Sequence, residues 1–514
     1  MMSRTTPHEV PTNIRAVPHG RVTLAVVLLG FLALPMSMSG AGVAVPRIGS
    51  ELDASGPAAQ WVVTAYFLTA SSFMLVAGSL GDAIGRRRIY RTGAVAYTLG
   101  CLGAAFAPTI TTLLAARVLT GLGAAGVMAG GGAILGATFT GAARARAFAA
   151  MGTTSGLGLA FGPTFSGWLV DGLGWRLGFG AFVLPGLVLV AGTWLIRETR
   201  AENTLRIDVT GAAVFIATLA ALMLAVTQGS ALGWASPPVL VLLACAALLL
   251  SVFVFIERRA VNPILTLALL RQRSFMGWLL AAITMTIGFG GVLNFLPSYL
   301  QDPAGLTATN AGLVMILPTL PMMLMPTVGG WLINRGLPSV LVITGALLAI
   351  AGGNAWLAIL HPTITPLELT GPLVLLGAGV GLASGIIDAQ ALNEVNERQV
   401  GMAAGMLNTV RGTSNALILG LFGSALIAIL AGKTGSALRA GQAVTGNLAD
   451  TEPASLLAAQ LTETWKIVLL ALAALCSIAA LATAALVRHS NRDRQRTNAQ
   501  QRVGTIATDQ GGAD

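Results

Sequence analysis

Three charged residues fall within stretches of the sequence that are otherwise apolar: Arg117, Asp388 and Arg411. A charge near the middle of a bilayer costs at least about 2.5 kcal/mol unless it is paired or hydrated, and such residues tend to mark ion or substrate paths. We therefore expect Arg117 to face an internal cavity, and we take Asp388 and Arg411 as further candidates for the cavity wall or for proton coupling. Two alternatives stay open. Arg117 can be a structural residue bonded to neighbouring carbonyls, and Asp388 can be a charge at the end of a helix.

A second charged cluster lies in a short segment between two apolar stretches. The segment reads Gly78-Ser79-Leu80-Gly81-Asp82-Ala83-Ile84-Gly85-Arg86-Arg87-Arg88. Its glycines allow two helix ends to approach closely, and Asp82 can pair with a nearby arginine and with the positive end of a following helix. This pattern predicts a latch that must break when a cavity opens, and an ordinary positively charged loop is the alternative. The candidate gating residues are Gly78, Asp82, Gly85, Arg86 and Arg87.

The composition indicates that membrane-spanning helices position these residues. The chain has 514 residues, of which 55% are hydrophobic and only 10% charged, with a mean hydropathy of +0.78. Soluble domains carry about 25% charged residues, so the charge here is too sparse to cover a water-facing surface. Stretches of about 20 apolar residues can cross a bilayer as helices. Fourteen such stretches are found, at 22–46, 58–80, 89–107, 109–135, 147–170, 178–196, 208–228, 237–256, 275–299, 309–333, 338–360, 370–392, 400–430 and 465–487.

The basic residues predict how these spans are oriented. Most of the 30 lysines and arginines fall on one side when the chain is threaded with both termini on that side. The exceptions are Arg47, Arg176, Lys433, Arg439 and Lys466 on the other side, and Arg117 and Arg411 within spans. Cytoplasmic loops carry an excess of Lys and Arg, so we expect both termini in the cytoplasm. The net charge of +10 then belongs to the loops, and no nucleic-acid partner is expected. Preference for arginine, with heavy use of Ala and Gly, suggests a GC-rich genome, and we expect the protein in the plasma (inner) membrane of a bacterium.

An internal repeat relates spans one to six to spans nine to fourteen. Pro46 and Pro297 occupy corresponding outer ends, and Gly78-Ser79-Leu80-Gly81-Asp82 corresponds to Gly330-Trp331-Leu332-Ile333-Asn334. Parallel repeats are a known transporter design. The sequence therefore predicts an all-α membrane protein with two six-helix bundles and two inserted helices. The predicted divisions are a cytoplasmic tail 1–21, a bundle 22–200, the inserted helices with their connecting segments 201–273, a bundle 274–488 and a cytoplasmic tail 489–514.

Two of these patterns resemble motifs of a known family. Residues 78–88 resemble the signature loop of the major facilitator superfamily, G-x-L-x-D-x-x-G-R-[RK], and Arg117-Val118-Leu119-Thr120-Gly121 resembles the family's span-four motif. The resemblance implies the major facilitator fold and transport by alternating access. It also implies that Arg117 takes part in proton transfer and that the signature loop stabilises one conformation.

A third motif resembles one that the family associates with export. The run Gly158-Leu159-Ala160-Phe161-Gly162-Pro163-Thr164-Phe165-Ser166-Gly167 is similar to the antiporter motif G-x-x-x-G-P-x-x-G-G, with Ser166 in place of one glycine. Gly158, Gly162 and Gly167 allow a neighbouring helix to pack closely, and Pro163 removes a backbone hydrogen bond and permits a bend. With fourteen spans, the chain resembles the fourteen-helix drug:proton antiporters. This resemblance implies a proton-coupled exporter of drugs, antibiotics or secondary metabolites.

The sequence departs from that subfamily in span one. Many relatives carry an acidic residue there, and its place is taken here by Ser37. We therefore predict an amphipathic substrate that is neutral or anionic rather than cationic. The candidate cavity contacts are Ser37, Tyr66, Asn294, Met322 and Asn408. Flexible methionines suit a surface that accepts several apolar ligands, although core packing is the alternative for each.

Other functions would leave patterns that the sequence lacks. An intramembrane enzyme needs convergent catalytic groups, and a receptor usually carries an appended soluble domain. The four histidines fall outside the spans and the three cysteines are far apart, so neither a metal nor a cofactor is expected. A symporter that imports a small nutrient is the main alternative, and Gly162-Pro163 argues against it. The expected partners are a small-molecule substrate, protons and the lipid bilayer, and we expect a monomer.

Overall fold

Helices account for nearly all of the chain that can be described. The computed structural model describes residues 20–54, 56–139, 141–199, 208–260, 272–394, 400–444 and 454–510. The leading helices are α1 Gly20–Glu51, α2 Gly56–Ile84, α3 Arg86–Ala105, α4 Ile110–Thr138, α5 Gly141–Gly180 and α6 Val183–Gly192. The helices that follow are α7 Val209–Leu232, α8 Pro237–Arg259, α9 Arg273–Gln301, α10 Ala308–Val314, α11 Ile316–Asn334, α12 Ser339–Leu357, α13 Pro366–Asn393, α14 Val400–Thr434, α15 Ala437–Val444 and α16 Ala454–Gln510.

The helix lengths agree with about fourteen membrane crossings. Ten stretches of the described residues are long and apolar enough to cross a bilayer. One of them, Ala150–Leu195, contains two crossings, because Gly174 interrupts α5 with a φ of 82° that only glycine adopts readily. The helices α2, α3 and α7 correspond to the remaining crossings of the predicted set.

Helix pairing reproduces the internal repeat. In the leading half α1 packs on α5, and α4 packs on both α2 and α3. In the trailing half α9 packs on α14, and α13 packs on both α11 and α12. Each trailing pair is the repeat equivalent of a leading pair, so the two six-helix bundles are confirmed. The residue boundaries predicted for them stay a prediction.

The predicted span at 309–333 corresponds to the apolar stretch Ala308–Asn334. It consists of α10 and α11, which are separated only at Met315. Pro318 has no amide hydrogen to donate to the carbonyl of Val314, four residues earlier, and its ring crowds that turn. The break therefore lies next to the proline, within a single span.

The bundle has two chemically different ends. The arginine-rich end is the end at which α3 begins with Arg86, Arg87 and Arg88 and at which α8 finishes with Arg258 and Arg259. The opposite end is where α1 finishes at Glu51 and α9 finishes at Gln301.

Candidate functional site

The leading and trailing bundles meet along two seams, of which the first lies between α5 and α10. The Thr164 hydroxyl donates to the carbonyl of Gly312 at 2.7 Å, and the Asp171 carboxylate accepts from the backbone N–H of Thr309 at 2.6 Å. A Cβ at Gly312 would lie 2.7 Å from the carbonyl oxygen of Pro163. The two hydrogen bonds join side chains of α5 to the backbone of α10 in the half of α5 nearer the opposite end, and they close the seam there.

The second seam lies between α2 and α14 and is closed from near the opposite end to about the middle of α2. A Cβ at Gly412 would lie 2.5 Å from Ser71 Oγ, and a Cβ at Gly423 would lie 2.6 Å from Gln60 Oε1. A small cavity of about 20 Å³ remains between the bundles, with Gln60 and Asn294 in its wall. A space of this size holds about one water molecule, so the described residues around it leave no room for a larger solute.

Both seams are open toward the arginine-rich end. Gly152 lies eleven residues before the contacting residue Pro163, and Gly156 lies eleven residues before the contacting residue Gly167, so all four share one face of α5. A Cβ at Gly152 or Gly156 would meet no atom within 4 Å. The same holds at Gly78, which shares a face of α2 with Ser71 and Gln60. Among the described residues, the faces that close the seams nearer the opposite end thus meet open space at these glycines toward the arginine-rich end.

The antiporter-motif glycines lie where α5 crosses α1. A Cβ at Gly162 would lie 2.5 Å from the carbonyl oxygen of Met36, and a Cβ at Gly158 would overlap the carbonyl oxygen of Leu32. Ser166, the departure from the motif, is matched by Gly40 on α1, where a Cβ would overlap the serine hydroxyl. Gly167 faces the other way and packs on Ala308 of α10. The motif thus serves two contacts, one within the leading bundle and one across the seam.

Arg117 is enclosed within the leading bundle and does not line the open cavity in this conformation. Its side chain is 1% exposed. Nε donates to the carbonyl of Val62 at 2.8 Å, and the guanidinium lies over the rings of Tyr66 and Phe179, at 4.7 and 5.2 Å from their centroids. Nη2 is buried without a hydrogen-bond partner. Among the described residues no carboxylate pairs with Arg117, so carbonyl and aromatic contacts replace an ion pair.

The other predicted cavity contacts are found in different surroundings. Ser37 and Tyr66 are buried in the leading bundle, with Tyr66 under Arg117. Asn294 lies at the seam, where Nδ2 donates to the carbonyl of Gly290 at 2.8 Å. Met322 is half-buried, and its backbone packs against Gly381 of α13. The side chain of Asn408 lies outside the described residues.

Asp388 and Arg411 are brought together in the trailing bundle. Asp388 Oδ1 on α13 lies 2.8 Å from Arg411 Nη1 on α14. The aspartate side chain is 49% exposed, whereas the arginine side chain is 21% exposed and its Nε and Nη2 are buried without partners. The carboxylate is therefore accessible to solvent while it holds an otherwise unsatisfied guanidinium. Asp388 lies five residues before the end of α13 and has a partner on another helix, and its role in the cavity wall or in proton coupling stays a prediction.

The signature loop docks on the segment that follows α6. The backbone N–H of Arg87 donates to Glu198 Oε1 at 3.0 Å, and Arg87 Nη1 donates to the carbonyl of Ile196 at 3.1 Å. Arg86 donates its backbone N–H to the carbonyl of Thr199 at 3.0 Å. Glu198 thus places an anion at the N-terminus of α3, where the helix dipole favours it. The side chain of Asp82, to which the sequence assigned this role, lies outside the described residues.

Gly85 is the position in this loop that tolerates change least. Its φ is 124°, and a Cβ would lie 2.6 Å from Glu198 Oε1. We expect Gly85→Ala to lower the free energy of unfolding by about 1–3 kcal/mol, because alanine is strained at this φ and displaces the carboxylate. Thermal unfolding of the detergent-solubilised protein measures this. Gly345→Ala is the matched control, because Gly345 is helical, exposed and without neighbours; equal losses in both variants would contradict the expectation.

Sequence reasoning missed Glu198, Asp171 and Gly312. Glu198 could have been found, because it is an acid that follows span six on the same side as the three arginines of the loop. Nothing in the neighbouring sequence marks Asp171 or Gly312 as important, because each makes its contact with a residue of the other bundle. The described residues contain no group of three or more His, Cys, Asp or Glu that could hold a metal ion.

Two membrane-spanning helical bundles related by an internal repeat are a known transporter design. The chain belongs to the Major Facilitator Superfamily, which matches residues 27–419. Multidrug resistance protein Stp of Mycobacterium tuberculosis is 32% identical over 411 residues, which cover 80% of this chain and 76% of that protein. Puromycin resistance protein pur8 of Streptomyces alboniger is 31% identical, over 77% of this chain and 79% of that protein. The family resemblance of the motifs is confirmed, and the protein is not an enzyme.

Solved structures show the same fold. A bacterial homologue of the human lysosomal transporter Spinster, in an inward-facing and unoccupied conformation, superposes with a TM-score of 0.65 at 17% identity, covering 93% of this chain and 99% of that one. A peptide transporter, POT, in complex with sulfate superposes with a TM-score of 0.63 at 16% identity, covering 91% of this chain and 95% of that one. At these identities the likeness concerns the fold alone.

Proposed function

We propose that this protein exports amphipathic drugs, antibiotics or secondary metabolites across the plasma membrane of a bacterium by proton-coupled alternating access. The observation that carries the proposal is the one-sided closure of both seams. Contacts join the bundles at the opposite end, while Gly78, Gly152 and Gly156 face open space toward the arginine-rich end. A solute that enters at the arginine-rich end can leave at the opposite end only after both seams have opened there and closed at the arginine-rich end.

Charge distribution and sequence relatives support the direction of transport. Basic residues concentrate on the cytoplasmic side of membrane proteins, so the arginine-rich end is assigned to the cytoplasm, with both termini. The cavity of this conformation then receives cargo from inside the cell. Stp and pur8 are named for resistance to multiple drugs and to puromycin, which favours export over import.

The Asp388–Arg411 pair is the proposed point of proton coupling. Protonation of Asp388 would neutralise the carboxylate that holds Arg411 at 2.8 Å and release the guanidinium toward the cavity. A ligand or a proton can shift the two conformations only through its different affinity for each. A pair that links two helices of one bundle and is accessible from the cavity can provide that difference.

Asp388→Asn will uncouple transport from the proton gradient. Asparagine resembles the protonated carboxyl group in shape, so the variant no longer changes charge when protons bind. We expect proton-driven efflux to fall by at least about tenfold, whereas exchange of labelled for unlabelled substrate continues. Everted membrane vesicles that contain the purified protein measure both rates.

Glu463→Gln is the matched control for this prediction. Glu463 forms an ion pair with Lys466 at the same distance, 2.8 Å, but its side chain is 59% exposed. Exposed pairs contribute little, so this variant is expected to behave like the wild type. If Asp388→Asn keeps proton-driven efflux at the wild-type rate, Asp388 takes no part in proton coupling.

The export function itself is tested in a pump-deficient bacterial host. Expression of the wild-type protein is expected to raise resistance to at least one antibiotic of a panel and to lower its accumulation in cells. The panel contains neutral and anionic amphiphiles together with cationic dyes. Increased accumulation would indicate an importer, and saturable efflux of cationic dyes alone would contradict the proposed substrate charge.

A further inference from the structure

The small cavity between the bundles, near the opposite end, buries one amide side chain from each bundle. Helices α1 and α2 of the leading half and α9, α14 and α15 of the trailing half contribute described residues to its wall, and its volume is about 20 Å³. Gln60 of α2 and Asn294 of α9 line it and are 7% and 5% exposed. Val444 of α15 lines the same cavity and is 4% exposed. The two amides are therefore shielded from bulk solvent while the seam is closed.

Each of the two amides has one polar atom without a partner. Gln60 Nε2 and Asn294 Oδ1 are buried and form no hydrogen bond within the described part of the chain. The orientation of the Asn294 amide is fixed, because Nδ2 donates to the carbonyl of Gly290 at 2.8 Å and a flipped amide would place Oδ1 against that carbonyl. A donor on one bundle and an acceptor on the other thus border one cavity without bonding to each other. Buried polar groups of this kind are nearly always bonded to protein or to ordered water.

The size and chemistry of the wall select water as the ligand. A buried water needs about 10–15 Å³ and about two to four polar partners, and a volume of about 20 Å³ fits one such molecule. Thr64 and Ser298 also line the cavity, are 4% and 3% exposed, and each carry a hydroxyl group that can serve as a third partner. None of the described residues in this wall is charged, so an ion has no counter-charge there. Water both donates and accepts, so it can bond to the Gln60 amide whichever way that amide is turned.

We propose that Gln60 and Asn294 bind one water molecule, which links the two bundles while the seam is closed at the opposite end. When the seam opens there, solvent reaches both amides and hydrates them. When the seam closes, the retained water keeps both amides bonded, so closure does not leave a buried donor and acceptor unsatisfied. A water-mediated contact is nearly as favourable in enthalpy as a direct hydrogen bond. The site therefore stabilises the closed seam and is taken apart each time the seam opens.

Radiolytic footprinting detects the bound water in the unmodified protein. X-ray pulses convert water into hydroxyl radicals, which oxidise the side chains next to it, and mass spectrometry locates the products. Phe295 lines the cavity and is 8% exposed, so we expect the bound water to oxidise it. Phe182 is 3% exposed, packs on Phe165 and does not line the cavity. It reports any leakage of bulk solvent into the protein and should stay unlabelled.

Two variants show which residues hold the water. Asn294→Leu removes the acceptor and Gln60→Met removes the donor, both with little change in side-chain size, and each is expected to lose the label on Phe295. Asn310→Leu, on the exposed surface of α10, should keep the label. Size-exclusion chromatography checks that the variants are folded. An unlabelled Phe295 in the wild-type protein would overturn the proposal, as would equal labelling of Phe295 and Phe182 or a label that persists in both variants.

Distances between spin labels measure the effect of the water on the seam. Phe106 and Leu367 lie at the opposite end, one on each bundle, and are 77% and 82% exposed. Cysteines at these two positions carry the labels in a protein whose three native cysteines have been replaced. Gln60→Met is expected to raise the ratio of open to closed molecules by about 5- to 150-fold, because Asn294 Oδ1 then lacks its partner in the closed state. Smaller polar replacements would leave room for further water, so an apolar side chain of matched size is used.

The double variant Gln60→Met with Asn294→Leu distinguishes a shared ligand from two separate effects. When apolar groups replace both amides, closure leaves no polar atom unsatisfied at this point, so the ratio is expected to return toward that of the wild type. A ratio equal to the product of the two single increases would mean that the residues do not share one water molecule, and it would overturn the proposal. Unchanged ratios in both single variants would do the same. Neither the footprint nor the distances depend on transport, so the water site can fail while export in the susceptibility assay stands, and the reverse.

Discussion

Arg117→Ala will reduce proton-driven efflux by at least about tenfold although the protein still reaches the membrane. The guanidinium is 1% exposed, bonded to the Val62 carbonyl and stacked between Tyr66 and Phe179. A desolvated cation–π contact is worth about 2 kcal/mol, so these rings stabilise the charge in this conformation. The unpartnered Nη2 means that the stabilisation is incomplete. An arginine whose hydrogen bonds are only partly satisfied is suited to change partners between conformations.

Arg117→Lys separates a role in transport from a role in folding. Lysine keeps the charge but lacks the planar guanidinium group, which can donate to a carbonyl and contact two aromatic rings at the same time. We expect a folded protein with an intermediate efflux rate and a shifted dependence of that rate on pH. Everted vesicles assayed across a range of pH measure the shift. If Arg117 were purely structural, both variants would lose thermal stability, and the pH dependence of the efflux rate per folded molecule would stay unchanged. That result would contradict the expectation.

The sequence was sufficient to predict the architecture because a bilayer leaves the chain few choices. Lipid offers no hydrogen bonds to the backbone, so long apolar stretches must be helical, and their lengths follow from the bilayer thickness. The repeat around Gly78 and Gly330 then predicted two related bundles. The close approach of α5 to another helix could also be predicted, because Gly158 and Gly162 are useful only where a neighbour needs that space.

Partners across the fold could not be predicted in the same way. Arg117 was expected to face the cavity, whereas it stacks on Tyr66 of α2 and Phe179 of α5. Nothing near Arg117 in the sequence specifies these rings. The position of α7 is equally non-local, since it depends on Val226 meeting Ser424 from the far end of the chain. Sequence periodicity describes the faces of a helix but does not say which helix each face will meet.

Gly312→Val will move the protein toward conformations that are open at the opposite end. A Cβ at Gly312 would lie 2.7 Å from the Pro163 carbonyl oxygen and 2.8 Å from Thr164 Cα. Both are backbone atoms of α5, so no side-chain rotation can relieve the contact. Overpacking of this kind costs about 1–3 kcal/mol, and it acts only while the α5–α10 seam is closed. The ratio of open to closed molecules should therefore rise by about 5- to 150-fold.

Labelling of a buried seam residue measures this shift. Asn294 is 5% exposed between the bundles, and a cysteine at that position in a cysteine-free protein should react slowly with a membrane-impermeant maleimide added on the side of the opposite end. Gly312→Val is expected to accelerate the reaction and to slow efflux, whereas Gly345→Val on the exposed side of α12 changes neither. An unchanged labelling rate in Gly312→Val would mean that the added side chain does not destabilise the closed α5–α10 seam. The antiporter-motif face of α5 would then have no part in closing the seam, and the one-sided closure would have to be maintained by the α2–α14 contacts alone.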